Sequence, residues 1–331
     1  MNILLSRTDS IGDVILTMPI TGVLKEKFSG CKIIFLGRTY TKDIISICSH
    51  VDEFLDWDEI IDLSKREAVN LLKEKKIDWL IHVFPNKNLA HLAKKAKIKN
   101  RAGTSHRIYH WNTCNRLVSF TRKKSDLHEA QLNFKLLSPL KIPVPKLNEV
   151  TNYYGFKVTE KLQKAVISYL NPNKKNIILH PKSKGSAREW GLKNFKELIP
   201  ILQESKYHIF ISGTEKEAEL MPEFLKGLPE NVTDITGKFS LSEFIAFISV
   251  ADAVVAASTG PLHIAAALNR VAVGIYPPIR PMHPGRWAPL GKNAHVLCKD
   301  IECEKCRKTM HCSCMEEIQP DEVRALLDKV L

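Results

Sequence analysis

Long apolar runs are missing from this 331-residue chain. No window approaches the about 18 uninterrupted apolar residues that a membrane-crossing helix needs. The opening MNILLSRTDSIGDVILTMP places Arg7, Asp9 and Asp13 where a secretory leader would have to be apolar, so export is not expected. Two nucleotide fingerprints are also missing. The first strand-to-helix turn carries a lone glycine in place of G-x-G-x-x-G, and the later loop rich in Lys, Ser and Gly lacks the Walker spacing, which argues against an NAD site and against ATP hydrolysis. No acidic DxD-like pair stands out near that loop. Acidic residues are in short supply, 36 against 49 Lys and Arg, giving a net charge of +13 and a pI near 9.3. The imbalance implies a polyanionic partner: nucleic acid, an anionic membrane surface or a phosphorylated substrate. Charge alone does not choose among them.

What is present is an ordinary globular composition, 44% hydrophobic and 26% charged, long enough for two domains with a core each. Short β-rich runs alternate with amphipathic helical patterns. Strands are expected over 3–6, 32–36 and 79–84 with a helix over 13–27; then strands over 176–180, 207–212, 253–257 and 272–275 with helices over 193–204, 214–225, 241–250 and 260–268. Alternation of this kind predicts βαβ units and parallel sheets, hence an α/β chain of two doubly wound, Rossmann-like domains. The stretch 139–148 with Pro143 and Pro145 breaks both periodicities and sets the expected boundary, 1–150 against 151–319. A terminal helix, 320–331, starts at Pro320 and Asp321.

Ligands of doubly wound sheets gather at the carboxyl ends of strands, and four such loops carry polar constellations. In the first, Arg7-Thr-Asp9-Ser-Ile-Gly12-Asp13, Gly12 allows close backbone approach and Asp13 falls at a helix start. Helix capping by Asp13 is the plainer alternative. In the second, His180-Pro-Lys182-Ser-Lys184-Gly185-Ser186-Ala-Arg188, three cations, hydroxyls and a glycine make a phosphate cradle, with a solvated basic loop as the alternative. The third, Ser258-Thr259-Gly260-Pro261-Leu-His263, runs strand into helix with Pro261 in the first turn, leaving amides at the positive helix end, a ready anion site. A histidine one turn inside, as His263 is, is more often structural than catalytic. The fourth, Ser212-Gly213-Thr214-Glu215, offers either a carboxylate for ribose hydroxyls or a simple cap.

These strings together resemble the glycosyltransferase family 9 heptosyltransferases along nearly the whole chain: RTDSIGDVILTMP, KNRAG, HEAQLNFKLL, HPKSKGSAREWGLKNFKEL, ISGTEKEAEL, and STGPLHIAAAL followed by YPP. The resemblance implies a GT-B fold, two domains facing a cleft, the first binding the acceptor and the second the nucleotide-sugar donor, with the terminal helix crossing back to the first. It implies that Asp13 is the general base, that Arg188 binds the donor diphosphate, that Glu215 contacts the nucleoside, and that Thr259 and Gly260 are phosphate contacts at a helix start. Ser258 stands where members with a heptose donor often carry Asp, so this position brings hydrogen bonding without charge. Lys184, Ser186 and His263 complete the expected donor set, and Arg7, Gly12, Lys99, Arg101 and Arg122 the expected acceptor set.

The function so implied is inverting, metal-independent transfer from an ADP-sugar onto a lipopolysaccharide inner-core acceptor, with no cofactor. The positive charge then has a partner in an anionic, lipid-linked oligosaccharide, and a cytoplasmic protein would touch the inner leaflet of the inner membrane without crossing it. Two rivals remain at this stage: a non-catalytic nucleotide-sugar binder, and a nucleic-acid-binding protein using the basic segment 94–124, which lacks any RRM, zinc-finger or helix-turn-helix signature. Cys31, Cys48 and Cys114 are scattered, whereas Cys298, Cys303, Cys306, Cys312 and Cys314 crowd one segment. All eight read as reduced thiols, and Cys303, Cys306, Cys312 and Cys314 as a candidate structural zinc set, although Cys312 and Cys314 are close for a second knuckle.

Overall fold

The computed structural model describes residues 1–122, 125–301, 303, 305–308 and 311–331. Lys123 and Lys124 of the basic segment lie outside the described residues. The chain divides into two compact units, Met1–Lys157 and Val158–Leu331, a few residues past the expected boundary.

The first unit is built on strands β1 (Asn2–Ser6), β2 (Lys32–Gly37), β3 (Glu53–Asp56), β4 (Trp79–His82), β5 (Asn100–Thr104) and β6 (Arg116–Val118), ordered β3-β2-β1-β4-β5-β6. All pairings are parallel, with Ser6 opposite His82 in the β1–β4 register. Central strands such as β2, KIIFLG, read as continuous apolar runs because helices cover both faces. The second unit repeats the order with β7 (Lys175–His180), β8 (Tyr207–Ile211), β9 (Val232–Asp234), β10 (Ala253–Ala256), β11 (Val271–Ile275) and β12 (Ala294–Leu297), arranged β12-β11-β10-β7-β8-β9, again parallel throughout. Counted from each unit's first strand, both sheets have the order 3-2-1-4-5-6, whose direction reverses between β1 and β4 and between β7 and β10. The carboxyl ends of those four strands are therefore where a ligand crevice forms.

Prolines redraw three expected helices. The stretch 13–27 is two helices, Ile11–Ile15 and Pro19–Lys27, because Pro19 cannot donate to a preceding turn and opens a new helix. Pro222 likewise splits 214–225 into Glu215–Ala218 and Pro222–Leu225. The helix Leu192–Ile201 ends one residue after Pro200. The terminal helix Pro320–Val330 packs on the second unit. Its apolar face, Val323 and Leu327, is fully buried in the second unit's core, and Asp328 accepts from Tyr207 Oη (2.7 Å) and Lys206 Nζ (3.0 Å) of that unit. No helix among the described residues is long and apolar enough to cross a membrane.

Candidate functional site

In the first unit, β1 delivers Arg7 into a network of carboxylates. Arg7 is 3% exposed; its Nε donates to Asp9 (2.7 Å), Nη2 donates to Asp13, and Nη1 donates to Asn133 (3.2 Å) and pairs with Glu129 (3.4 Å). Burial alone would lower the guanidinium's pKa, but Asp13, Asp9 and Glu129 outweigh it and hold it up. Burial pushes the Asp9 carboxyl up to about 6 against the pull of Arg7, with the charge of Asp13 adding to the rise.

The second oxygen of Asp13 accepts from the hydroxyl of Ser10 at 2.6 Å, on the exposed side. Ser10, not Asp13, is the cap of the helix Ile11–Ile15, so the capping alternative belongs to its neighbour. Gly12 lies inside that helix with an ordinary helical backbone, because the serine cap starts the helix before the glycine is reached. A hydroxyl-bearing ligand could take the place of Ser10 at this carboxylate without disturbing Arg7.

The brace behind this arrangement is the helix Glu129–Lys135, capped by His128. It contributes Glu129 and Asn133, both buried, which also receive Arg122: Nε to Glu129 at 2.9 Å and Nη2 to Asn133 at 2.8 Å. Asn133 Nδ2 donates in turn to the Leu16 carbonyl (3.2 Å), tying the helix that carries Asp13 to the brace. The string HEAQLNF thus holds the site together, a role that its residue types did not announce.

The cations expected at this site separate. Arg7 is committed to the protein and serves Asp13 as a holder, not as a surface contact. Arg101 is also committed, Nε to the Thr113 carbonyl (2.6 Å) and Nη1 to that of Ile98. Lys99 is exposed but precedes β5, at the amino edge of a parallel sheet and so at the opposite end from Asp13. Arg122 alone among the non-Arg7 cations proposed reaches the Asp13 brace. The carboxyl edge further offers Arg107, exposed, followed by Ile108 (88% exposed) and Trp111 (66%) on the helix Ile108–Thr113. Beneath it, His82 is 1% exposed with neither ring nitrogen partnered and its ring centroid 5.1 Å from that of His110; burial lowers its pKa to about 3.

In the second unit the loop after β7 folds around Glu189, which accepts from Lys182 Nζ (2.6 Å), Ser183 N (2.9 Å) and Ser183 Oγ (3.1 Å). Lys184 and Gly185 form the tip, both with positive φ (49° and 78°), and Lys184 is exposed. Lys184 thus holds a left-handed backbone that costs a non-glycine residue about 1 kcal/mol. Arg188 is half-buried, and the Ser186 hydroxyl donates to the Ser183 carbonyl (2.7 Å). Under the loop, burial lowers the pKa of His180, whose Nδ1 lies 3.0 Å from Ser212 Oγ.

After β10, Thr259 caps the helix Gly260–Ala267 by backbone only. Its hydroxyl is buried with no partner, at a helix end whose first amides are open, and Pro261 sits in the first turn as expected. Ser258 hydrogen-bonds Tyr276, whose hydroxyl donates to the Trp287 carbonyl at 2.6 Å. His263 is buried one turn in. At the end of β8, Glu217 takes the capping role with Thr214 (2.7 and 2.9 Å), which leaves Glu215 exposed. The residues that sequence reasoning passed over are Ser10, Glu129, Asn133, Glu189 and Tyr276; the matched strings contained each of them, but Glu129 and Asn133 act on Arg7 more than a hundred residues away, and the local partners of Ser10 and Glu189 follow from how their loops fold.

Comparison with known proteins agrees with this architecture. The chain is 23% identical over 316 residues to lipooligosaccharide heptosyltransferase 2 of Haemophilus influenzae, covering 90% of this chain and 88% of that one. Its fold matches that of the Escherichia coli ADP-heptose lps heptosyltransferase II with a TM-score of 0.81 at 21% identity, over 100% of this chain and 98% of the other. It also matches E. coli heptosyltransferase WaaC with ADP, with a TM-score of 0.71 at 17% identity and 100% of both chains covered. These likenesses give the fold as GT-B. The family model for glycosyltransferase family 9 (heptosyltransferase) matches residues 67–315. Three quarters of the sequence thus carries that signature, and the chain belongs to glycosyltransferase family 9.

Proposed function

We propose that the chain is an inverting, metal-independent transferase that moves heptose, or a closely related sugar, from an ADP-sugar onto an inner-core hydroxyl of a lipopolysaccharide precursor. The observation that carries this reading is the Asp13 carboxylate, anchored through one oxygen to buried Arg7 and meeting an exposed hydroxyl with the other. An acceptor hydroxyl replacing Ser10 there would lose its proton to Asp13 as its oxygen bonds to the anomeric carbon. The bond from that carbon to the diphosphate breaks in the same displacement, inverting the centre, and ADP leaves with the electron pair. Lys184, Arg188, the Thr259 hydroxyl and the Gly260 amide meet the developing charge, the task that a metal performs in other transferases. Ser258, Ser186 and His263 complete the donor site, and exposed Glu215 would accept from the ribose hydroxyls.

On the acceptor side, Arg122 and the Gly12 backbone flank Asp13, while Arg107, Ile108 and Trp111 suit contact with an anionic lipid surface. The partners are thus a nucleotide-sugar and an anionic lipid-linked oligosaccharide at the cytoplasmic face of the inner membrane. Family membership and the four occupied loop positions leave the nucleic-acid reading nothing to explain. The test is ADP release with ADP-heptose and a Kdo-lipid A acceptor. Asp13→Asn should lower kcat by roughly 10²–10⁴ with donor affinity retained. Full activity in that variant would remove Asp13 as base, and binding of the ADP-sugar without release by the unaltered chain would leave a non-catalytic binder.

A further inference from the structure

The segment between β12 and the terminal helix leaves the second sheet at its carboxyl edge, and its described residues include one 3-10 turn, Lys305–Lys308, and one short helix, Ser313–Glu316. Three of its thiols, Cys303, Cys306 and Cys314, lie within 4.8 Å of one another. Cys306 Sγ is 4.0 Å from Cys314 Sγ, and Cys312, fully buried, lies two residues before Cys314. A zinc ion holds thiolates at about 2.3 Å, which sets the edge of a tetrahedron of sulfurs near 3.8 Å. The 4.0 Å between Cys306 and Cys314 is close to that edge, and it is about twice the roughly 2.05 Å of a disulfide.

Other cysteines of the chain behave differently. Cys31 and Cys48 are single buried thiols whose sulfurs donate to backbone carbonyls, of Leu24 (3.5 Å) and Tyr154 (3.3 Å), and neither belongs to such a cluster among the described residues. Three clustered thiols and a fourth, Cys312, two residues from Cys314, need another reason. We propose that Cys303, Cys306, Cys312 and Cys314 form a structural zinc site that staples this segment. His311 is not a ligand: it is 92% exposed and its ring pairs with Glu316.

The supporting contacts are of the kind that fix metal-bound sulfurs. The Cys306 amide donates to Cys303 Sγ (3.4 Å), and Ser313 Oγ lies 3.5 Å from Cys306 Sγ. What the staple holds is also defined. Arg307, next to Cys306, donates to the Arg280 carbonyl (3.0 and 3.3 Å) in the loop after β11. Just past Cys314, the Ile318 carbonyl accepts from Trp190 Nε1 (2.8 Å), and the Glu316 carbonyl from Asn194 (2.8 Å). The cage therefore fixes a segment bonded to two loops at the carboxyl edge of this sheet, including the end of the one that carries Lys184 and Arg188. It takes no part in group transfer.

The test is metal content of the full chain, purified without chelator under reducing conditions and equilibrated with equal zinc and iron. One zinc per chain is expected, and exchange with cobalt should produce a thiolate-to-cobalt charge-transfer band. Cys306→Ser should lose at least nine tenths of the zinc, whereas Cys298→Ser, outside the cage, should keep it. Alkylation with peptide mapping should find Cys303, Cys306, Cys312 and Cys314 protected until a zinc chelator is added. Absence of metal and of the cobalt band in the unaltered chain would overturn the site whether or not the serine variant folds, and so would a Cys306–Cys314 disulfide. Iron at the same stoichiometry would overturn the zinc assignment. None of these readouts depends on transfer activity, so the metal site and the proposed reaction stand or fall separately.

Discussion

The two units share one strand order, yet they prepare opposite electrostatic surroundings at corresponding switch points. In the first, Arg7 is surrounded by Asp9, Asp13, Glu129 and Asn133, and every one of its donor groups is spent inside the protein. In the second, the Thr259 hydroxyl is buried without a partner at an open helix end, and Lys184 stands exposed at a loop tip. A finished network suits a group that must be held in one orientation while it takes a proton. An unfinished one suits a ligand that brings its own oxygens. The same fold thus serves two partners through what each set of loops leaves unsatisfied.

Removing the hub of the finished network should have the largest effect on stability. Arg7→Met leaves carboxylates of Asp9, Asp13 and Glu129 without their buried cation, a loss of about 3–5 kcal/mol for a broken buried pair. Denaturant unfolding should show that loss, and transfer should fall along with it. A variant with wild-type stability would show that Arg122 alone suffices to compensate the cluster.

Acidification should separate the units next. His82 is buried in the first unit with its pKa lowered to about 3, whereas the unfolded chain titrates near 6.5. Between those values the unfolded state binds the proton and the folded state does not, so stability falls as pH drops below 6.5 and levels off near 3. The slope for one such group is at most about 1.4 kcal/mol per pH unit. His82→Leu should flatten that portion of the stability profile, and an unchanged slope would assign the acid sensitivity to other groups, such as His180 of the second unit.

The unfinished side predicts a smaller and oppositely distributed effect. Thr259→Val removes a hydroxyl that satisfies nothing in the folded protein, so stability should remain within about 1 kcal/mol of the unaltered chain. Affinity for ADP, measured by calorimetry, should nonetheless fall about two- to tenfold, the worth of one hydrogen bond. Lost stability with unchanged ADP affinity would make Thr259 a cap and nothing more.

What was legible in the sequence follows the same physical divide. The strands at the centre of each sheet, β1, β2, β4, β7, β8, β10 and β11, are covered on both faces and declare themselves as apolar runs. The four edge strands, β3, β6, β9 and β12, and the neighbouring β5 did not. Short strands such as Arg116–Val118 and Asn100–Thr104 carry polar and charged residues, and their surroundings read as a basic surface run. At the site, residues that act through local geometry were visible: Asp13 near a helix start, and Thr259, Gly260 and Pro261 at another. Glu129 and Asn133 were not, because their partner Arg7 lies more than a hundred residues away in the chain. Sequence spacing also could not tell which cations face which edge of a parallel sheet.

That last point gives the smallest and most discriminating comparison. Lys99 and Arg107 are both exposed and each contributes one positive charge, but Lys99 precedes β5 and Arg107 follows it. If the basic excess acts only through net charge, replacing either by Ala should weaken binding to anionic vesicles equally. If the acceptor approaches the carboxyl edge, where Ile108 and Trp111 are exposed, Arg107→Ala should cost about 1 kcal/mol, roughly fivefold in vesicle affinity at physiological salt. Lys99→Ala should then change it by less than about twofold, because a charge at the far end of a strand lies beyond a Debye length of the surface. Strand β5 is five residues long, about 17 Å at its usual rise, against a screening length of about 8 Å at physiological salt. The distinction should therefore sharpen as ionic strength rises toward that value and fade as it falls. Equal losses at physiological salt would return the membrane role to the chain's overall charge and remove it from the edge that carries Asp13.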